Sequence, residues 1–455
     1  MSRPMTSIPP FKRFAHALVV CSAVLLLTVS PSFAQTTSDE ETAWLNAYDQ
    51  VRSEQLIDEG QRAMRAGEFA TAERIFMDAV QVAKVNFGLN AEQQRAPLEY
   101  VIEAQLAQGK WELVDNHLDY FEWLNDQIYL RDFYAYLSGT EQLNRMLLKA
   151  SADPSNPLGF RYLIAAKNLN WRAVGGIEAT LGESHPELAP WLYNIVLAHY
   201  YQSSLIKRHG MVSTVIRNEE DEEVRGWTLT KGESLRISYR IGKELLERIS
   251  TIYLEAEDPQ LESAALAKIY LADWEMMFGN EESALATYAD AFNSLVTIGI
   301  SKDRANQLFA RPFVLPDREL HSDVDSMLAS HSEEPARFNA WSTNYPATAL
   351  PSEHVAVNGS AGAEIMALIR FDLHPLLPSG LLSNSRAIQL GFNLDDLEVV
   401  STTPDSDLIR ERAIYEVSLL QFRPRLENGS PTRSENVELE YLFPPQYNTL
   451  SFSGN

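Results

Sequence analysis

The sequence predicts a mainly α protein, an array of stacked helical hairpins, followed by a small C-terminal α+β domain. Three observations predict it. From about residue 39 to 310, apolar residues recur at i, i+3, i+4 and i+7, prolines are sparse, and Ala, Leu and Glu abound, as in successive amphipathic helices. Within that stretch one glycine-led spacing recurs. From residue 361 to 443 the pattern changes to β-branched, alternating segments with Asn-Gly pairs at 358–359 and 428–429, as strands joined by tight turns require.

The first element is a targeting segment. The first 34 residues hold Arg3, Lys12 and Arg13 and no acidic residue, and an apolar run from Phe14 to Val29 follows. Ser30-Pro31 breaks the run, and Ser32 and Ala34 place small residues at −3 and −1 of a cleavage site. This order predicts a signal peptide over 1–34, removed after Ala34, with the mature chain starting at Gln35. The run is slightly short for a full span of about 20 residues. Cys21, the single cysteine, follows Val20, where a lipid-attachment signal needs a small residue. After Ala34 no apolar stretch is long enough to cross a bilayer. The expectation is export to the periplasm in soluble form.

The helical domain is expected over 35–310. Its repeated spacing is a Gly, a small or apolar residue at +5, an apolar or aromatic residue at +9 and another at +12. It occurs as Gly67–Ala72–Phe76–Ala79, Gly109–Val114–Leu118–Phe121 and Gly279–Ala284–Tyr288–Ala291, and more weakly as Asn168–Ala173–Ile177–Thr180. Gly or Asn permits the tight turn between antiparallel helices, and the next three positions fall on one face of the second helix. These segments resemble the second half of a tetratricopeptide (TPR) repeat, best in GEFATAERIFMDA and GNEESALATYADA, with LAKIYLADWEMMF as the first helix of the last copy. Gly67 and Gly109 lie 42 residues apart, against a family period of about 34. The resemblance therefore implies a degenerate TPR-like α-solenoid, by length roughly five to seven hairpins. An irregular helical bundle is the alternative.

Residues 311–345, rich in Pro, Ser, Asn and His with no lasting helical stripe, are expected to be a linker, and 346–455 the C-terminal domain. Strands are expected at Glu364–Leu373, Ile388–Leu394 and Leu397–Ser401, a helix at Asp407–Leu420, a strand at Phe422–Leu426, a turn at Asn428-Gly429 and a last strand at Val437–Phe443. In the last strand Val437, Leu439, Tyr441 and Phe443 share one face, and Glu438 and Glu440 the other. The tail QFRPRLENGSPTRSENVELEYLF, the stretch LEVVSTTPDSDLIRERA and Tyr345-Pro346 resemble the C-terminal domain of TonB-type energy transducers, over roughly the last 110 residues. The sequence departs from that pattern by an insertion at His374–Arg386 and by lacking the glycine of a Ser-Ser-Gly turn. The resemblance implies contact with envelope proteins, TonB-dependent receptors or transport components among them, by strand addition, with Val437, Leu439, Tyr441 and Phe443 as the candidate contact strand. An edge blunted by Glu438 and Glu440 is the alternative.

Chemistry is hard to find in the residues. With 38 Lys+Arg against 62 Asp+Glu, the net charge of −24 argues against nucleic acid and against a basic membrane-binding surface. One cysteine excludes an internal disulfide and a Cys-based zinc site. The nine histidines, at 16, 117, 185, 199, 209, 321, 331, 354 and 374, show no metal-ligand spacing along the chain. There is no Gly-x-Ser-x-Gly elbow and no Gly-Lys-Ser/Thr phosphate loop. The run Glu219–Glu223 is adjacent carboxylates, which cannot converge on one cation. Aromatic residues of the helical part, among them Trp123, Trp191, Tyr193, Tyr200 and Tyr201, either line a peptide groove or pack between helices. No catalytic residue, metal or cofactor is expected. The expected function is a non-enzymatic periplasmic interaction scaffold. The alternative is a membrane-anchored energy transducer that keeps its N-terminal helix.

Overall fold

The computed structural model describes residues 50–129, 131–152, 159–209, 230–331, 335–339, 365–375 and 392–443. The expected signal peptide with Ala34, the acidic run at 219–223, Tyr345-Pro346 and the Asn-Gly pair at 358–359 lie outside them. Ten helices come first: α1 (Gln50–Arg65), α2 (Phe69–Phe87), α3 (Arg95–Leu106), α4 (Trp111–Asp126), α5 (Phe133–Ala152), α6 (Gly159–Leu181), α7 (Leu188–His209), α8 (Lys231–Glu255), α9 (Leu261–Met277) and α10 (Glu281–Thr297). Each packs against the next, so they form five hairpins among the described residues. None of the described helices is long and apolar enough to cross a membrane.

The three strong repeats end their first helices identically. Gly67, Gly109 and Gly279 take φ of 76°, 64° and 79°, in the left-handed region. In each turn the next residue donates to a carbonyl five positions back: Glu68 to Ala63 at 2.9 Å, Lys110 to Gln105 at 3.1 Å, Asn280 to Glu275 at 2.9 Å. The glycine N–H itself bonds three back, to Met64, Leu106 and Met276. This is the Schellman pattern, which satisfies the last carbonyls and reverses the chain. The positions after each glycine then enter the core: Ala72, Phe76 and Ala79, Val114, Leu118 and Phe121, and Ala284, Tyr288 and Ala291 are all buried. The fourth copy is corrected. Asn168 lies inside α6, which runs unbroken to Leu181, and Thr180 is exposed; Ala173 and Ile177 are buried merely as an inward i, i+4 pair.

After α10 come α11 (Lys302–Leu308), β1 (Phe313–Leu315), α12 (Val324–Ser330), β2 (Ala336–Asn339), β3 (Met366–Pro375), β4 (Phe392–Thr403), α13 (Asp407–Val417), β5 (Gln421–Arg423), β6 (Leu426–Glu427), β7 (Ser430–Pro431) and β8 (Ser434–Leu442). Four strands make a sheet in the order β2-β8-β3-β4, with β2 parallel to β8 and the other pairs antiparallel. β6 and β7 form a hairpin through Asn428 and Gly429, both at positive φ, as a two-residue primed turn demands. Ile369, Phe371 and Leu373 of β3 and Leu439 and Tyr441 of β8 are buried in one core with Ile409, Ala413 and Val417 of α13 and with α7 to α10.

The described part of the expected linker is corrected: β1, α12 and β2 belong to the fold. Its Pro and Ser residues punctuate short elements instead of keeping the chain extended. The two expected strands at 388–394 and 397–401 are, in their described part, one strand, β4, irregular at Asp396 (φ 53°). The expected strand Phe422–Leu426 splits at Pro424, which cannot donate to a ladder, and β5 pairs with β1 outside the main sheet.

Two predictions concern the helical array. Gly279→Ala meets no atom within 4 Å, so only the left-handed backbone resists it, at about 1–2 kcal/mol. Gly175→Ala, mid-helix in α6 with open space, should gain about 1 kcal/mol. Urea denaturation should give these opposite signs. The second concerns His199, buried in α7 with Nδ1 unpartnered, whose pKa falls from 6.5 to about 3, chiefly through burial and then through Lys167. The unfolded chain takes up this proton first. Stability should be full above pH 6.5 and decline below it, down to pH about 3, by about 1.4 kcal/mol per pH unit from this group. In His199→Gln that share of the slope should vanish in urea titrations from pH 7 to 5.

Candidate functional site: a buried polar junction beside a cavity

α9 is apolar nearly all round and buried on every side, because it runs through the middle of the core. It nevertheless carries two buried acids. Glu275 accepts from Lys243 of α8 at 3.0 Å and from Thr287 of α10 at 2.8 Å. Asp273 accepts from Arg423 of β5 through Nε at 2.9 Å and Nη2 at 2.6 Å, and from the Tyr288 hydroxyl at 2.6 Å. Arg423 is 0% exposed. Its partner lies 150 residues earlier, so this fork joins the helical array to the C-terminal strands. Burial opposes the guanidinium charge, but Asp273, Tyr288 and Asp317 outweigh it and raise the Arg423 pKa.

The loop after β1 brings a second carboxylate. Asp317 Oδ2 lies 3.9 Å from Arg423 Nη2, 2.9 Å from His331 Nε2 and 3.8 Å from His321 Nε2. Two tyrosines of the array fix this loop: Tyr193 donates to the Asp317 carbonyl at 2.5 Å, and Tyr270 donates to the Glu319 carbonyl at 2.8 Å while accepting from the His321 N–H at 2.9 Å. Ser263 binds the Ser322 carbonyl at 2.6 Å, and Glu262 accepts from the Val324 N–H at 2.6 Å, seating the start of α12 on α9. Phe313 of β1 stacks on the His331 ring at 3.8 Å and lies 5.3 Å under the Arg423 guanidinium. Burial pushes Asp317 up, yet the His331 hydrogen bond and the charges around it bring the net below the usual carboxylate range. For His331 burial wins over Asp317 and lowers the pKa, which favours the neutral ring. Burial holds the phenols of Tyr193, Tyr270 and Tyr288 well above their usual value.

Beside this junction is a cavity of about 270 Å³, lined by Phe313, Asp317, Arg318, His331, Arg337 and Phe338 among others. Ser330 Oγ lies 3.0 Å from His321 Nε2, the same nitrogen that faces Asp317. A serine–histidine–aspartate relay needs both ring nitrogens, so these three are not arranged for nucleophilic catalysis. Asp317, His321 and His331 place one donor atom each within 4.8 Å of the others. The absence of a metal-ligand spacing along the chain did not bring this grouping to light, because it forms only in space. The spacing Asp-x3-His-x9-His straddles α12 and matches no single-helix signature. A signal for the junction was present: in LAKIYLADWEMMF, apolar but for Lys268, two acids, Asp273 and Glu275, fall close together.

The expected contact strand is also corrected. β8 lies between β2 and β3, so it is no edge over Leu439–Leu442. Leu439, Tyr441 and Phe443 are buried and Val437 is half-buried. Glu440 sits opposite Arg337 at 3.3 Å and Glu438 opposite Arg370 at 2.8 Å, so these acids cross-link neighbouring strands and guard no edge. The outer strand on the other side is β4, with exposed Asp395, Asp396 and Glu398 and a second irregularity at Val400. The glycine-turn and packing positions are spread along the array and form no common site.

Removing one member of the Arg423–Asp273 pair strands a buried charge. Arg423→Met should cost about 3–5 kcal/mol in urea denaturation. Arg423→Met with Asp273→Leu should recover most of this, short of the Tyr288 hydroxyl left without its acceptor. An additive double variant would show the two groups are not coupled.

No protein-family model matches this chain, and no curated protein matches it.

Proposed function

We propose that this chain is an exported, non-enzymatic binding protein of a Gram-negative-type envelope, a TPR-like array joined to a TonB-like module. The observation that carries the reading is the repeated Schellman hairpin at Gly67, Gly109 and Gly279, each followed by buried residues at +5, +9 and +12. Hairpins of this kind stack to give an extended protein-binding surface and bring no chemistry of their own. The strand–helix–strand tail with its Asn428-Gly429 hairpin supports the TonB-like half. Large aromatic side chains left exposed on successive helices supply contact anchors: Trp123 of α4 at 45%, Tyr134 of α5 at 61% and Trp171 of α6 at 40%. Glu122 and Arg172, the sequence neighbours of the two tryptophans, form an ion pair that draws α4 and α6 together there. The net charge of −24 steers basic or neutral partners toward the chain.

A second reading places the contact at β4, the outer strand of the sheet, with its acidic side chains facing a basic extended segment. Photo-crosslinking in the intact envelope separates the two. Probes at Tyr134 and Trp171 should capture one partner protein, and Trp123→Ala with Trp171→Ala should weaken it at least tenfold while the melting temperature holds. Capture from Glu398 alone, unaffected by the tryptophan changes, would move the contact to β4. Turnover of any substrate lost on Asp317→Asn would overturn the non-enzymatic reading.

A further inference from the structure

The geometry points to a site for one divalent transition metal ion, of the zinc class, formed by Asp317, His321 and His331. Three features of the cluster fit. The donor set is two imidazole nitrogens and one carboxylate oxygen, which suits zinc and its neighbours, whereas magnesium and calcium take oxygen ligands. The distances fit as well. Bonds of about 2.0–2.1 Å in a tetrahedron put ligand atoms about 3.3 Å apart. Asp317 Oδ2 stands 2.9 Å from His331 Nε2 and 3.8 Å from His321 Nε2, on either side of that value, and the third pair lies within 4.8 Å. The side chains are also held in place from outside. The Tyr193 and Tyr270 bonds fix the loop carrying Asp317 and His321, and the Phe313 ring fixes the plane of His331. Ligands positioned in this way need little ordering when the ion arrives.

Of the cations nearby, Arg423 spends its short hydrogen bonds on Asp273 and stands 3.9 Å from Asp317, an ion-pair neighbour beyond hydrogen-bond distance, while Arg311, Arg318 and Arg337 line the cavity. Asp317 is therefore available to the metal. Coordination would replace two hydrogen bonds, His331–Asp317 and Ser330–His321, with the ring proton of His331 moving to Nδ1. Asp317 and His331 line the 270 Å³ cavity, which leaves a fourth position for water and a way in for the ion. The metal would tie the loop before α12 to the residue after it, and so fix the carboxylate that faces Arg423.

The test uses the purified protein, stripped with chelator and titrated with Zn²⁺ against a chromophoric competitor. One zinc per chain is expected, bound at micromolar strength or tighter, with a rise in melting temperature. His321→Gln and His331→Gln should each weaken binding at least tenfold and abolish the rise, while His185→Gln leaves both unchanged. X-ray absorption on the zinc-loaded wild-type protein should show two imidazole nitrogens. If a variant does not fold, the absorption spectrum decides alone. Binding absent at stoichiometric level, binding unchanged in both histidine variants, or an oxygen-only shell would each overturn the site.

Discussion

A guanidinium with no water around it cannot stand in a core without a carboxylate to meet it. Arg423 and Asp273 impose that constraint, and the rest of the fold is organised to satisfy it. β1 has to pair with β5 to carry Arg423 to the face of α9, and Tyr288 has to fill the second lone pair of Asp273 Oδ1. A buried pair of this kind adds little net stability over a well-packed apolar pair, since both charges lose their hydration. Its effect is on selection: any packing of the sheet against the array that misaligns the fork leaves two buried charges unmet.

The array provides the other half of that alignment. Gly242 of α8 has no Cβ, and a Cβ there would fall 2.1 Å from the Trp274 ring, so α8 and α9 approach closely. Trp274 in turn donates to the Tyr239 carbonyl at 2.9 Å, which fixes the rotation of α9 about its axis. Asp273, one residue earlier, then has only one direction in which to point. Gly60 against Phe76 repeats the close approach at the other end of the array.

The helical part was legible because its signals are local. Glycines at 67, 109 and 279 mark turns through their own backbone freedom, and the apolar positions that follow need no knowledge of distant partners. The Asn168 copy failed because asparagine tolerates a helix interior and nothing at that point ends the helix. β3, α13 and the 428–429 turn were also legible from alternation and turn chemistry. The position of β8 was not, because strand order depends on pairing partners far away in sequence, and the short β2 gives no periodic signal in four residues. The Asp317, His321 and His331 cluster escaped for the same reason: its members meet only when the chain turns around α12.

The central position of β8 governs how the sheet can be made. β2 and β3 precede it in the chain but do not touch each other; each pairs with β8 instead. β3 can pair with β4 first, but β2 has no partner until the last described strand has arrived, so the four-stranded sheet is completed only after residues 434–442 move in. A chain delivered N-terminus first, from a ribosome or through a membrane pore, can stack its helical hairpins one by one, each on its predecessor. The sheet stays incomplete until β8 arrives. The order of assembly is thus built into the topology, with local contacts first and the long-range insertion last.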